Sequence, residues 1–539
     1  NLYYNDNKVN FYIKGLEKEY YMNSNTKMLY GVIHIGSTAL SMRIVSYHNL
    51  DDIQVIEEVA KEVTFGEEVY LNKKLSFASV NWLCSMLNGL KQLLNDYQVK
   101  EYSVYATAVF REAENKRAIL DLVHVNTGFD VQVLDMSQEI YLEHFALQHQ
   151  LRKYNHKNSH SLGSDFLFVD ITSGAMGLTV WQGGVLTYQH DIHVGTLRLL
   201  ETFSANQRAS RDYPDALAEY IHAVMRPVWK TIEQYHPSTL VFSGRESRII
   251  ARLLGWPVIK HNMAICSPEK IISLYDAVGR QSSSHIRQAY GITEAEADVV
   301  LPTIHIYREI LEHVPANKVV MMGTTFLESL SMYYGAGKTD DQAIVEMQIQ
   351  NLKLTESIAE GYYYEPKHAH CMQNYSHIII EAFRSVNGLG KREEFLLSMA
   401  LILSQIGKYV NLIDSSRNTW SLIRSIDIFG ISEKEKDAVA CIAFYEHKGM
   451  PEEDDYAFKL LDDSMKMTVL KLIAVFRLVR AMDISRKQKI QDVTARMVDD
   501  TLLIEYDTSA RTALESWFFE KENDLFKSVF GIEAKLERR

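Results

Sequence analysis

Cysteine is scarce. The chain has four, Cys84, Cys266, Cys371 and Cys441, far apart in 539 residues and without a CxxC pair. That argues against a disulfide framework and against a thiolate zinc site, and makes a reducing cytoplasm the simplest home. Long apolar runs are also missing. No stretch approaches the roughly 18 residues of a membrane span, and no charged n-region with an apolar h-region opens the sequence. Neither a membrane protein nor a secreted one is expected. Positive charge is in deficit: the formal net charge is -12. A general nucleic-acid-binding role is not expected, and a polyanionic ligand would need a local basic groove.

What is present is a chain with 47% hydrophobic residues, long enough for three or four ordinary domains. Residues 1–27, rich in Asn, Tyr and Lys, show no apolar period and read as an N-terminal extension. An α/β pattern follows. LYGVIHIG reads as a buried strand and STALSMRIVSYH as a turn and an alternating strand. Residues 78–96 have apolar groups at helical spacing, YSVYATAV and FDVQVLD read as strands, and KRAILDLVHVN as a helix. Ser137 is placed to cap the helix QEIYLEHFALQHQL. The pattern restarts at DFLFVDITSGAMGLTVWQGGVLTYQHDI, with Gly183-Gly184 marking a hairpin; helices are expected at 195–206 and 213–235 and short strands at TLVFSG and KVVMMGT.

The unit IHIGSTALSM thus has a counterpart in VDITSGAMGL. Two such strand–turn–strand units, each opening an α/β half, predict a duplicated, two-lobed fold on the plan of the actin, sugar-kinase and Hsp70 group. The lobes are expected at 28–150 and 151–337. Beyond them helical periods dominate in SHIIIEAFRSV, EEFLLSMALILSQIGKYV, EKDAVACIAFYEH and SMKMTVLKLIAVFRLVRAM, an all-α domain over 338–495. An α+β tail, 496–539, has one alternating segment and a last helix.

Several stretches carry a family resemblance in order. They are IHIGSTALSM, YATAVFREAENKR, VLDMSQEIYLEHFAL, VDITSGAMGL, HVGTLRLLETF, LVFSG, EAEADVVLPTIHIYREIL and VVMMGTTFLESL. In the helical part follow YEHKG, KLIAVFRLVRAMDISRKQKI and LFKSVFGIEAKL. No one of them is specific; their number and order are. From about 29 to 535 the chain resembles the exopolyphosphatase/guanosine pentaphosphate phosphohydrolase family, whose helical half is HD-like. A divergent sugar or acetate kinase is the runner-up, and the all-α half argues against it.

The resemblance implies hydrolysis of a phosphoanhydride, releasing terminal phosphate from inorganic polyphosphate or guanosine pentaphosphate. That chemistry needs an in-line water, a base, and neutralised phosphoryl oxygens. The family's catalytic base falls on Glu139, and its strand-end Asp on Asp170. Mg²⁺ or Mn²⁺ is the expected cofactor, held by Asp170 and Glu139, since hard cations take oxygen ligands. Arg111 is the expected phosphate fork, and Gly36, Ser37, Gly174 and Gly244 the backbone cradles. Each has a plainer alternative: a helix-end Glu, a turn-capping Asp, a surface Arg paired with Glu112 or Glu114, ordinary turn glycines. Dimerisation is a family-level expectation.

The chain also departs from the family pattern. His34 and Gly177 stand where acids are expected, Thr38-Ala39 replaces Ser-Asn, and Thr172 replaces a glycine with a β-branched residue that disfavours positive φ. His34 reads either as a ligand suited to Mn²⁺ or Zn²⁺ or as a histidine that hydrogen-bonds locally. In the helical domain His368 matches the first His of an HD site, but Ser404-Gln405 replaces the His-Asp pair and Asp483 alone restores no metal cluster. Arg477, Arg480, Arg486, Lys487 and Lys489 read either as a polyanion groove or as a solvated charged helix end. The alternative function is a degenerate paralogue, binding polyphosphate, guanosine penta- or tetraphosphate or a partner protein as a regulator.

Overall fold

The computed structural model describes residues 28–157, 162–256, 263–339 and 341–539; the expected N-terminal extension lies outside them. The described chain divides into two compact units that part between Met347 and Gln348. This point lies inside the helix Gln342–Glu360, about ten residues beyond the boundary expected at 338.

The first unit contains two sheets of matching plan. In one, β1 (Met28–Ile35), β2 (Ala39–Asn49), β3 (Asp52–Glu62), β4 (Glu101–Ala106) and β5 (Val131–Val133) are ordered β3-β2-β1-β4-β5. In the other, β6 (Phe166–Ile171), β7 (Met176–Gln182), β8 (Val185–Ile192), β9 (Thr239–Ser243), β10 (Met263–Cys266) and β11 (Lys318–Met322) are ordered β8-β7-β6-β9-β11-β10. Each sheet begins with an antiparallel three-strand meander, and its first strand then pairs parallel with the strand after a helical crossover. The duplication predicted from sequence is therefore a repeat of strand order, with β10 as an added antiparallel edge.

The central strands are buried because both faces are covered. Val32, Ile33 and Ile35 of β1 and Leu167, Val169 and Ile171 of β6 are all within the cores. β3, by contrast, is an exposed edge rich in charge, with Glu57, Glu58, Lys61 and Glu62 outward. Such charges discourage edge-to-edge pairing, and they hide the strand from a hydrophobic-pattern reading. At the β7–β8 hairpin Gly183 and Gly184 have φ of 56° and 79°, the pair of positive values a two-residue turn of this hand requires.

The helix Phe326–Lys338 follows β11 of the second sheet but packs on β1 and β2 of the first. Residues 326–337, expected in the second lobe, thus close over the first. Tyr30 donates its hydroxyl to the Ser331 carbonyl, and Tyr47 to Asp341 Oδ2 at 3.2 Å. Close approach requires glycine at 335: a Cβ there would lie 2.3 Å from Tyr47 Cδ2 and 2.6 Å from the Tyr30 hydroxyl.

The second unit, described by itself, is mostly helical. Pro366–Ala382, Lys391–Leu403, Glu433–Phe444 and Asp463–Met482 surround one apolar core. Its tail is a sheet ordered β12-β13-β14, with β12 (Gln491–Val498), β13 (Thr501–Asp507) and β14 (Glu533–Arg538), and the helix Ala513–Phe530 crosses between the last two. β13 is the alternating segment expected from sequence; β12 alternates as well, with Val493, Ala495 and Met497 half-buried against the core. Among the described residues no helix is long and apolar enough to cross a membrane.

Gly335→Ala overpacks the tyrosine contact and should cost about 1–3 kcal/mol. Gly337→Ala, where a Cβ meets nothing within 4 Å, should be neutral or slightly stabilising. Thermal melts of the two variants beside wild type check the contrast; equal melting temperatures would show that the helix does not dock this way.

Candidate active site between the two lobes

The two sheets carry equivalent turns where the lobes meet. In the first, Gly36 N–H is closed on the Ala39 carbonyl at 2.9 Å and the Ser37 carbonyl accepts from Gly66 N–H. In the second, Thr172 N–H is closed on Ala175 at 2.9 Å and the Ser173 carbonyl accepts from Leu197 and Arg198 N–H. Gly36 is therefore not an open donor. Thr172 fits because it avoids positive φ, and its hydroxyl accepts from Ala175 N–H at 3.1 Å.

Asp170, the penultimate residue of β6, pairs in register with Gly177. Ser243 Oγ, at the end of β9, donates to Asp170 Oδ1 at 2.6 Å. Asp170 Oδ2 is buried and receives no N–H or hydroxyl donor among the described residues, while the Glu143 carboxyl stands within hydrogen-bonding reach of this side chain. Two carboxylates so placed have to share a proton or a cation. Burial, then Asp170, hold the Glu143 carboxyl well above the usual range.

Glu139 lies one turn before Glu143 on the helix Met136–Lys157 and is equally buried, each 7% exposed. Arg111 Nη1, on the short helix Ala108–Glu112 after β4, reaches Glu139 Oε2 at 3.2 Å and the Leu134 carbonyl at 3.1 Å. The pairing expected of Arg111 with Glu112 or Glu114 is absent; Glu112 pairs instead with Arg198 at 3.2 Å. Burial raises the Glu139 carboxyl above its ordinary value against the pull of Arg111. Ser137 does not cap this helix, which begins at Met136; its hydroxyl donates to Asp191 Oδ2 at 3.0 Å. Gln138 reaches back instead, accepting from Asp135 N–H at 3.0 Å.

The remaining predicted residues divide. Gly244, with φ of 90°, opens the helix Gly244–Leu253, and a Cβ would lie 2.4 Å from the Ile171 carbonyl oxygen. Its first turn already holds the buried Glu246, which accepts from Thr196 Oγ1 at 2.8 Å. Gly174 accepts Arg198 Nε at its carbonyl, 2.9 Å. His34 takes the local alternative: its Nε2 lies 3.1 Å from Thr107 Oγ1 and its ring meets Phe326 edge-on at 4.7 Å. Burial pushes the imidazole down to about 4, so it is neutral at physiological pH. An acid at 177 has no room, since a Cβ would stand 2.7 Å from Ile140 Cδ1 and 2.8 Å from its Cγ2.

Sequence reading missed Glu143, Glu246, Arg198 and Tyr70. Tyr70 lies on the helix Phe65–Asn72 of the first lobe, and its hydroxyl is 2.9 Å from where a Gly174 Cβ would stand in the second. That hydroxyl is buried, with no hydrogen-bond partner among the described residues, and lies among Glu112, Arg198, Arg111 and Glu139. Burial pushes the phenol up to about 12, so it remains a proton donor at neutral pH. Beside the acids is a cavity of about 410 Å³ lined by Arg43, Arg245, Arg248, Arg252, Trp256 and Glu328, among others. Arg43 and Arg252 are paired with Glu58 and Glu296, whereas the charges of Glu246 and Glu143 act on Arg248.

The donor set fits a hard divalent cation at Asp170 and Glu143, two carboxylates with an orphaned oxygen between them; Glu139 is drawn instead to Arg111. In the helical unit most of the basic residues that a polyanion groove would need are held in ion pairs. Arg477 and Arg480 meet Glu522 at 2.5 and 3.1 Å, Arg486 meets Glu365 at 2.5 Å, and Lys489 meets Glu515 at 2.9 Å; Lys487 is exposed. His368 Nδ1 bonds Asp483 Oδ2 at 2.7 Å, and Gln488 supplies two further donors to that Asp.

With this geometry in place, comparison with known proteins is decisive on one point. The sequence profile of the Ppx/GppA phosphatase family matches residues 42–330, more than half of the chain, and that of its domain III matches 353–523. The chain belongs to the Ppx/GppA phosphatase family. It is 20% identical over 421 residues to a guanosine-5'-triphosphate,3'-diphosphate pyrophosphatase of Photobacterium profundum, covering 76% of this chain and 79% of that one. An uncharacterised Streptomyces coelicolor protein is 28% identical over 178 residues, 33% of this chain and 51% of its own length. Among solved structures, an exopolyphosphatase from Cytophaga hutchinsonii superposes with a TM-score of 0.51 at 17% identity, over 57% of this chain and 98% of that one. At that identity the likeness establishes the shared fold.

The buried acid pair gives a pH signature. Glu143 has a folded-state value above its unfolded one, so its stabilising contribution is full below the ordinary Glu range and is lost as pH rises through the folded value. Gln at 143 cannot ionise and still offers Asp170 a donor. With divalent ions chelated, Glu143→Gln should melt about 2–4 °C above wild type near pH 8, the gap closing toward about pH 5. A gap independent of pH would show that Glu143 is not protonated in the fold.

Proposed function

We propose that this Ppx/GppA family member hydrolyses the terminal phosphoanhydride of a polyanionic phosphate chain, inorganic polyphosphate or guanosine pentaphosphate, in the interlobe cleft. The observation that carries this reading is the placement of Glu139: buried, facing Arg111, with a carboxyl raised by burial. A carboxylate so raised is a better base near neutral pH than a solvated one, and its position suits it to orient and deprotonate an attacking water. Arg111 would then exchange its contact with Glu139 for phosphoryl oxygens, which a guanidinium grips in parallel. Arg198 and the unpartnered Tyr70 hydroxyl add donors from the two facing lobes, and the closed cleft strengthens each of these interactions.

Asp170 and Glu143 would hold Mg²⁺ or Mn²⁺, whose charge would offset that of the phosphoryl oxygens. The carboxylate lost at Gly177 is thereby matched by one at Glu143, which favours turnover over the inert-regulator alternative. The arginine-lined cavity next to the acids suits the rest of the substrate, because a chain of phosphates carries charge well beyond the reacting group. Both candidate substrates present the same terminal phosphoryl.

Glu139→Gln should lower kcat for phosphate release by about 10²–10⁴-fold, measured with Mg²⁺ on polyphosphate and on guanosine pentaphosphate. Rates equal to wild type on the substrate that wild type turns over would sink the assignment. Arg245→Ala with Arg248→Ala should raise KM several-fold and leave kcat within about twofold, as expected for loss of uniform binding. An unchanged KM would place the rest of the substrate elsewhere.

A further inference from the structure

Away from the residues of the cleft, two helices of the second lobe bring together a different donor set. The helix Tyr213–Ile232 carries His222 and Trp229, and the helix Glu294–His313, packed against it, carries Glu309 and His313. Glu309 and His313 are one turn apart and share a face. One ligating atom from each of His222, Glu309 and His313 lies within 4.8 Å of the other two. They converge on a single oxygen: Glu309 Oε1 is 3.0 Å from His222 Nδ1, 3.4 Å from His313 Nε2 and 2.9 Å from the Trp229 indole nitrogen.

His313 faces a carboxylate at each ring nitrogen. Its Nδ1 lies 2.9 Å from Glu233 Oε1, and its Nε2 faces Glu309. A neutral imidazole donates at one nitrogen and accepts at the other. With the proton toward the nearer carboxylate, Glu233, the Nε2 lone pair and the Glu309 oxygen are two acceptors face to face. A cation is needed between them, either a second proton or a metal ion. The surroundings favour the metal. His222 supplies a second imidazole. Glu309 is 7% exposed and held by an indole N–H. The His313 ring is fixed by stacking on Trp229, at 4.6 Å and 9°. A carboxylate on the far nitrogen of a histidine is also the usual support of a metal-bound imidazole. The His222 side chain is 54% exposed, which leaves an ion and a water a way in.

We propose that His222, Glu309 and His313 form a binding site for a borderline divalent cation, with Zn²⁺ the best match. Two imidazoles and one carboxylate suit Zn²⁺, with water completing a tetrahedron, and disfavour Mg²⁺. The ion would staple the two helices beneath the second sheet's core. The other group of comparable spacing, His377, Glu381 and Glu394, differs in one respect: Arg384 already bonds both carboxylates and fills the place of a cation.

The test uses the full chain, stripped with EDTA, dialysed and titrated with Zn²⁺ by calorimetry, with melting temperature followed in parallel. Wild type should bind one equivalent more than His222→Ala, or bind it at least about tenfold more tightly, and zinc should raise the melting temperature of wild type alone. His222 is mostly exposed, so its variant should melt with wild type in the absence of zinc. His313→Gln provides an independent second removal and should lose the same equivalent. Equal zinc stoichiometry, affinity and stabilisation in all three proteins would overturn the site. A wild type that binds no zinc would overturn it too. Phosphate release plays no part in the readout, so the result is independent of the proposed activity.

Discussion

Buried negative charge is the constraint around which the first unit is arranged. Glu139, Glu143, Asp170 and Glu246 are all at most 7% exposed and crowd one cleft. Unpaired carboxylates in such surroundings are strongly disfavoured. Three of them are met by something specific: Arg111 at Glu139, the Ser243 hydroxyl at Asp170, the Thr196 hydroxyl at Glu246. The pair Asp170–Glu143 is the one place where the local partners do not suffice. An incoming cation gains most there, and the coincidence of that shortfall with the cleft is what gives the site its chemical direction.

The duplicated sheets explain how the charges come to meet. Equivalent turns follow β1 and β6 and close with equivalent backbone bonds, Gly36 to Ala39 and Thr172 to Ala175. The helix Met136–Lys157 brings both glutamates in from the end of the first lobe, and the helix Phe326–Lys338 returns from the second sheet to pack on the first. The lobes are thus interlocked by chain crossing as well as by contact. Tyr70 and Gly174 are one place where their facing surfaces meet.

Gly177 and Ile140 show how the absence of a side chain shapes its neighbours. Without a side chain at 177 the isoleucine fills the space above β7, and an acid appears one turn on at 143. Across β7 and β8 Gly177 pairs with Asp191, whose carboxylate is held by Ser137 and Gln189. In the helical unit the residues that the resemblance sets against an HD-type site follow a different logic. His368, Asp483, Gln488, Gln405 and Arg486 satisfy one another by hydrogen bonds, so polar burial there serves packing.

The sequence by itself determined the class of fold, its duplication, the helical second half and the family, because strand alternation, helical spacing and ordered motifs are local signals that survive divergence. It also singled out Glu139, Asp170 and Arg111, which the fold places close to one another. Tertiary structure decided the rest. β3 escapes a hydrophobic pattern because it is an edge strand with charged outward residues. Tyr70 escapes because its helix has eight residues and no motif. Glu143 is indistinguishable in sequence from a solvent-facing glutamate; only the packing of its helix between the lobes removes it from water and sets it against Asp170. Likewise His222 and His313 are ninety-one residues apart, and nothing short of two packed helices makes them neighbours. Burial and long-range proximity are properties of the assembled chain, and the charge states that govern this protein follow from them.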